Sequence, residues 1–271
     1  MPCLPCFRST PSVHFAAVFS AMCLIAFQWA PGSATPLALV ANRDEFHHRP
    51  SRALRWWCWP DGPLAGRDEK AGGSWLAVRR DGRFAALTNY RDPLAEPGGH
   101  SRGELPLRWL ESALSPARLG KELHARAHSY GPFNLLYGSH DELWIVGTHA
   151  EAAPVEPGIH ALSNGLLDTP WPKSIRAVHR MQDWIDSRSY DIDGLLSLLD
   201  DRQPAADPDL PDTGVGAEFE RLLSAPFIVS PDYGTRSSTA LTLGRRCRIA
   251  ERQFDPAGRT SGERIFGWQI E

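Results

Sequence analysis

The chain has 271 residues, 42% of them hydrophobic and 23% charged, with a net charge of −3. Such proportions belong to a globular protein long enough to bury a full core, in one large domain or two small ones. A weakly acidic chain without a basic run argues against a nucleic-acid partner, no apolar run reaches transmembrane length, and five cysteines with two in the first six residues argue against a disulfide framework.

The N-terminus allows two readings. Arg8 followed by VHFAAVFSAMCLIAF, with PGSA beyond it, has the outline of a signal peptide, which would make residues 1–30 an export signal. His14 and Ser20 interrupt that core, however, and its second half has the composition of a strand. The other reading takes Met22 as the first translated residue of a cytoplasmic protein. Residues 1–21 then lie outside a single domain spanning 22–271, and removal of Met22 leaves Cys23 as a free N-terminal thiol. Cys3 and Cys6 have zinc or redox spacing, but no second Cys/His pair follows, and neither metal nor cofactor is expected.

From Cys23 onward the pattern is antiparallel. CLIAFQW and LALVANRDEF, joined by the Pro/Gly/Ser/Thr segment at 31–36, predict a hairpin. SWLAVRRDGRFAALTNY predicts a second, with Asp81-Gly82 as a type I′ turn, so four strands open the domain. Two helices follow. GELPLRWLESAL has leucines and Trp109 at helical spacing, and SPARLGKELHARAHSYG has Ser115 as N-cap, Pro116 at the first helical position and Gly131 as its stop. FNLLYG and ELWIVGTH predict another hairpin and GIHALSN a further strand. WPKSIRAVHRMQDWIDS and IDGLLSLLDD predict two more helices, and 202–215 a polar loop. APFIVS, SSTALTLG, CRIAERQF and ERIFGWQI close the chain as strands. This order of segregated blocks predicts an α+β fold of antiparallel sheets covered by helices.

Polar residues punctuate these strands where apolar ones belong. Asn42, Arg43, Asp44 and Glu45 end the second strand, Asn89 ends the fourth, Asn164 follows HALS, and Arg236 precedes SSTALTL. Taken singly, each is ordinary turn chemistry. Taken with Cys23, they supply what thiol acyl transfer needs. A terminal cysteine has an α-amine with a reference pKa of about 7.7–8.0, able to accept the thiol proton near neutral pH. Arginine beside the sulfur favours thiolate, a carboxylate orients the amine, and asparagine N–H groups receive the oxyanion. Gly72-Gly73 reads as a loop that brings Trp75 to the pocket rim. Trp57, with Trp56 and Trp59, reads equally as a wall of an apolar substrate site or as a core cluster. His47-His48 has no further metal spacing and reads as surface imidazoles.

The strings MCLIAF, LALVANRDEF, GSWLAV, ALTNYRDP, HALSNGLLD and YGTRSSTALTL together resemble the NRDE-motif family, also called the transport and Golgi organisation protein 2 family. That family is in turn similar to the N-terminal nucleophile hydrolases of the cholylglycine hydrolase and penicillin acylase branch. The resemblance implies a four-layer αββα sandwich of two stacked antiparallel sheets flanked by helices. It implies Cys23 as nucleophile, Asn89 and Asn164 as oxyanion-side asparagines and Arg236 as the late active-site arginine. The Arg-x-x-Asp pair of those hydrolases falls on Asn42 to Glu45, where the aligned first position is Asn and Arg follows one residue later, leaving Asp44 and Glu45 both open as the group that holds the amine. Asn42, Trp75 and Trp57 are the expected substrate contacts. Two functions follow: hydrolysis of a small acyl amide at a C–N bond, or a non-enzymatic carrier or chaperone for an apolar ligand, since eukaryotic relatives are linked to secretory-pathway organisation and to haem, lipid or acyl-CoA handling.

Overall fold

The structure is a computed structural model that describes residues 22–59, 61–96 and 98–270. The expected export signal, the Cys3/Cys6 pair and the extension 1–21 lie outside the described residues.

Six strands open the chain: β1 (Met22–Trp29), β2 (Leu37–Phe46), β3 (Ser51–Trp56), β4 (Leu64–Asp68), β5 (Leu76–Val78) and β6 (Phe84–Asn89). Helices α1 (Leu105–Glu111) and α2 (Pro116–Ala125) follow, then β7 (Phe133–Gly138), β8 (Leu143–Gly147), the short β9 (Ala153–Pro154) and β10 (Gly158–Leu162). Helices α3 (Pro172–Asp186), α4 (Ile192–Ser197) and α5 (Ala217–Leu223) precede the closing strands β11 (Tyr233–Leu243), β12 (Arg246–Phe254) and β13 (Thr260–Gln269). The antiparallel sheets run β10-β1-β2-β11-β12-β13 and β3-β4-β5-β6-β7-β8-β9.

Three apolar layers hold this stack together. Ile25, Phe27, Leu39, Leu241 and Ile249 of the first sheet pack against Leu76, Phe84 and Leu136 of the second. Leu24, Ala26, Val40 and Ala240 point the other way, onto Met181 and Trp184 of α3 and Leu195 of α4. On the far side Ala77, Leu135 and Tyr137 meet Leu105 and Trp109 of α1 and Leu119 of α2. The result is the αββα sandwich. Because both sheets are covered on both faces, β1 and β2 read as continuous apolar runs rather than alternating ones. No helix among the described residues is long and apolar enough to cross a membrane.

Three local expectations are corrected. β3 and β4 form strands where none was expected, because Arg52, Arg55 and Trp56 lie on a half-exposed edge strand whose composition carries no apolar alternation. APFIVS is not a strand: residues 217–223 just before it form α5, and only an isolated bridge links Val229 to Gly234. The β5–β6 hairpin does form, but Asp81 does not take the positive φ that a type I′ turn requires; Gly82 alone does, at +82°.

One carboxylate ties the two sheets together. The β3 bulge between Arg52 and Arg55 takes Leu54 out of the ladder, and its N–H donates to Oε1 of Glu251 on β12 at 2.7 Å. Glu251 is 1% exposed, and burial pushes its carboxyl up to about 7, against the Leu54 N–H, Arg43 and Arg264. A carboxyl raised in the folded state binds more protons there than in the unfolded chain, so stability falls as pH rises from its unfolded value through about 7. Glu251→Gln keeps an acceptor and removes the charge. Its thermal stability should gain on the wild type between pH 5 and pH 8, by on the order of 1–3 kcal/mol. Melting curves whose difference stays constant across that range would exclude this role.

Candidate functional site

Strand register assembles the site at one end of the first sheet. Cys23 on β1 lies opposite Arg43 on β2, and Arg43 lies opposite Ser237 on β11. Paired residues on antiparallel strands share a face, so these three form a row facing the second sheet. In the neighbouring row, Asp44 and Thr235 face the helices, and the backbone of residue 22 pairs with Asp44. There Thr235 Oγ1 donates to Asp44 Oδ1 at 2.6 Å. One residue further in, Asn42 is fully committed to that helical side. It donates to Leu199 O and Pro226 O and accepts from Ser238 Oγ, so the expected substrate contact at Asn42 is a structural bracket instead.

The row containing Cys23 borders a cavity of about 430 Å³, within the size range of small-molecule sites. Arg43, Glu45, Trp75, Asn89 and Asn164 line it, so five of the expected residues meet there. Cys23 itself is buried and is not among the lining residues. Arg43 stacks 4.3 Å from the centre of the Trp75 ring and sits 3.6 Å from Glu45 Oε2. Glu45 reaches on to Arg49 at 3.4 Å, and Arg49 to Asp68 at 2.7 Å. Arg43 Nη1 is buried without a hydrogen-bond partner.

Asn164 is held from every side. Its Nδ2 donates to Asn89 O at 3.0 Å, and its Oδ1 accepts from Ser163 Oγ and Lys173 Nζ. Behind it, Thr88 Oγ1 donates to Ser163 O, Asn134 Nδ2 donates to Gly165 O, and the Arg91 N–H donates to Asn164 O. Asn164 lines the cavity, and these bonds leave the second N–H of its amide unengaged. Among the described residues no group of His, Cys, Asp and Glu side chains is placed to hold a metal ion.

Two expected residues do not line the cavity, although Arg236 lies near enough for the charges of Arg43 and Glu45 to act on it. Arg236 falls in the β11 bulge between Thr235 and Ser237, and its Nη1 donates to the carbonyls of Phe46, His47 and Arg49. It is a clamp on the β2–β3 turn, and it does not line the cavity. Trp57 donates from Nε1 to Ala65 O and lies under Arg67, while Trp56 packs on Trp59 and Trp268; none of the three reaches the cavity.

The electrostatics also differ from expectation. Burial, and next to it the Asp44 charge, pushes the Cys23 thiol up to about 12; Arg43 and the Asp44 N–H pull it down without prevailing. With residue 22 attached, Cys23 is a thiol and not a thiolate near neutral pH. Burial likewise raises Asp44 to about 7, opposed by Thr235, Lys173 and Arg43. Lys173, 2% exposed, is lowered to about 8 by burial and then by Arg91, while Asp44 and Cys23 pull it up. Lys173 and Arg102, a cavity residue whose charge acts on Cys23, went unnoticed in the sequence. The scarcity of lysine, three in the whole chain, was the available signal for the first.

A family model described as Transport and Golgi organisation 2 matches residues 22–256. The Transport and Golgi organization protein 2 homolog of Bos taurus is 34% identical over 244 residues, covering 82% of this chain and 88% of its own. That of Homo sapiens is 34% identical over 247 residues with the same coverage. Among solved structures, a mutant of the conjugated bile acid hydrolase from Clostridium perfringens superposes with a TM-score of 0.50 at 7% identity, covering 91% of this chain and 92% of that one. The Caenorhabditis elegans ortholog of N-acylethanolamine-hydrolyzing acid amidase gives 0.46 at 9% identity, over 80% and 92%.

The clamp role of Arg236 has a measurable consequence. Hydrogen bonds from a charged donor contribute about 1.5–3 kcal/mol each at most, and these three share one nitrogen. Arg236→Ala should therefore lower stability in urea by about 2 kcal/mol. A loss of cavity function with unchanged stability would contradict the clamp.

Proposed function

The chain belongs to the Transport and Golgi organisation 2 family and has the fold of the N-terminal nucleophile hydrolases, and on that premise we propose that it hydrolyses a small acyl amide through Cys23 as the mature N-terminal residue. The observation that carries this reading is the register of β1 on β2. Asp44 stands opposite residue 22 while Cys23 stands opposite Arg43. Removing residues 1–22 would leave the new α-amine between the sulfur and the Asp44 carboxyl. Glu45 is engaged with Arg43, Arg49 and the Phe46 N–H, so Asp44 is the better holder of the amine.

The mechanism follows from that placement. A thiol held near 12 does not ionise at rest, so its proton must leave as the sulfur attacks. An α-amine of reference pKa about 7.7–8.0 takes it. The sulfur bonds to the amide carbon, the carbonyl oxygen becomes an oxyanion, and the free Asn164 N–H donates to it. The C–N bond then breaks, with the ammonium returning its proton to the leaving amine. Water then attacks the thioester and gives its proton to the α-amine, which passes it to the sulfur as the C–S bond breaks, restoring the thiol and releasing the acid.

The cavity wall narrows the substrate. Arg43, Arg49, Arg91 and Arg102 share it with Glu45, Asp68, Asp92 and Glu96. A wholly apolar ligand would desolvate these groups without replacing their water contacts, which disfavours the carrier reading. A small amide with polar or charged ends fits better.

Intact mass of the protein from its own gene is the first test: this reading expects 271 − 22 = 249 residues, beginning at Cys23. The second is alkylation by iodoacetamide near pH 7, read peptide by peptide. A species retaining residue 22 should alkylate at Cys23 more slowly than at exposed Cys58, and one beginning at Cys23 should reverse that order. Asn164→Ala should lower the turnover of an acyl amide by about 10²–10³ with little change in affinity. A protein that keeps residue 22 in the cell, or that turns over no member of an acyl-amide panel, removes the hydrolase and leaves the carrier.

A further inference from the structure

Lys173 is the least expected group near Cys23. Helix α3 carries it on its first turn, and the fold buries it to 2% exposure. A methionine would fill similar space without the desolvation of an ammonium. The acceptor its Nζ meets is an amide oxygen, Asn164 Oδ1 at 3.5 Å, and not a carboxylate. Ser163 Oγ donates to that same oxygen at 3.2 Å. Lys173 Nζ can only donate and Asn89 O can only accept, so between them they fix Oδ1 toward the ammonium and Nδ2 toward Asn89, in a residue that lines the cavity.

We propose that Lys173 is a positioning residue for the oxyanion site: its ammonium fixes the orientation of the Asn164 amide and polarises it, making the unengaged N–H a stronger donor. This rests on the acyl-transfer reading of Cys23. A positive charge at an amide oxygen draws electron density from the nitrogen, and chains of hydrogen bonds strengthen one another in a low-dielectric interior. The stabilisation is delivered where charge develops, through Asn164, without Lys173 touching the substrate. The groups around the ammonium belong to several elements: Asp44 on β2, Cys23 on β1, Arg91 after β6 and Glu220 on α5. Burial and Arg91 lower its proton affinity to about 8, so its charge is retained below that pH and lost above it.

Two reactions at the same sulfur separate this role from a structural one. Alkylation by iodoacetamide is a displacement at saturated carbon and forms no oxyanion. Acylation by p-nitrophenyl butyrate passes through a tetrahedral oxyanion: the S–C bond forms, the C–O bond to nitrophenolate breaks, and the thiol proton passes to the base. Both rates are measured at Cys23 in the protein from its own gene. Lys173→Met should slow acylation by about tenfold or more and leave alkylation within about twofold. Lys173→Arg, which keeps the charge, should restore acylation. Asn164→Ala should slow it as well, and Lys173→Met on that background should add little. In the wild type, the ratio of acylation to alkylation should fall as pH rises through about 8, and in Lys173→Arg that fall should vanish.

If Lys173→Met does not fold, Lys173→Gln and the wild-type pH profile carry the same comparison. Equal slowing of both reactions makes Lys173 structural and overturns the proposal. So does full acylation in Lys173→Met, with the hydrolase reading intact. A wild-type Cys23 that is not acylated at all overturns both.

Discussion

Four consecutive polar residues are buried at the end of one strand, and the site depends on how the fold tolerates them. Asn42, Arg43, Asp44 and Glu45 are each 3% exposed or less. Burying such groups without partners costs several kcal/mol apiece, so each must be matched. Strand geometry divides the load, sending Asn42 and Asp44 to the helical face and Arg43 and Glu45 to the sheet interface. Asn42 is matched by carbonyls and Ser238, Asp44 by Thr235, and Glu45 by Arg43 and Arg49. Arg43 alone of the four keeps an unmatched nitrogen, and it lines the cavity together with Glu45.

The opposing wall of the cavity is rigid for a similar reason. The carbonyls of Ser163, Asn164 and Gly165 are each taken by a donor from another segment. A loop whose three successive carbonyls are all engaged has little freedom to reorient. The cavity floor is fixed by close backbone approach instead: a Cβ on Gly73 would come within 2.3 Å of the Gly103 backbone. Only glycine lets the segment before β5 lie against the one before α1, where the Ser74 N–H donates to Gly103 O at 2.8 Å.

The layered fold was legible because its signals are local. Pro116 starting α2, the β1–β2 hairpin and the ordering of blocks all reside in contiguous residues. The cavity-lining residues were legible in part, since Arg43, Glu45, Asn89 and Asn164 interrupt strands where apolar residues belong. Asn42 and Arg236 carry the same interruption yet serve structure, because strand ends need brackets and turn clamps as much as they need functional groups. Which of the two a residue supplies depends on the face it takes and on partners far along the chain, such as Pro226 for Asn42. Apart from the rarity of lysine, Lys173 gave little local signal for a related reason: on a helical wheel it is one more charged residue, and its burial is decided by α3 lying over the strand ends.

The ordering of proton affinities gives the site its logic. Cys23 sits near 12, Lys173 near 8 and Asp44 near 7, all displaced by the same dry surroundings. Burial penalises charge on each, so near neutral pH the resting cluster favours a neutral thiol. A nucleophile in that condition is inert until a base removes its proton during attack. The backbone nitrogen of Cys23 is an amide while residue 22 is attached and cannot serve as that base. Cleavage between residues 22 and 23 leaves every side chain from Cys23 onward unchanged, yet it converts that amide into an amine beside Arg43 and next to the position paired with Asp44. On the acyl-transfer reading, one peptide bond separates a stable buried thiol from a reactive one.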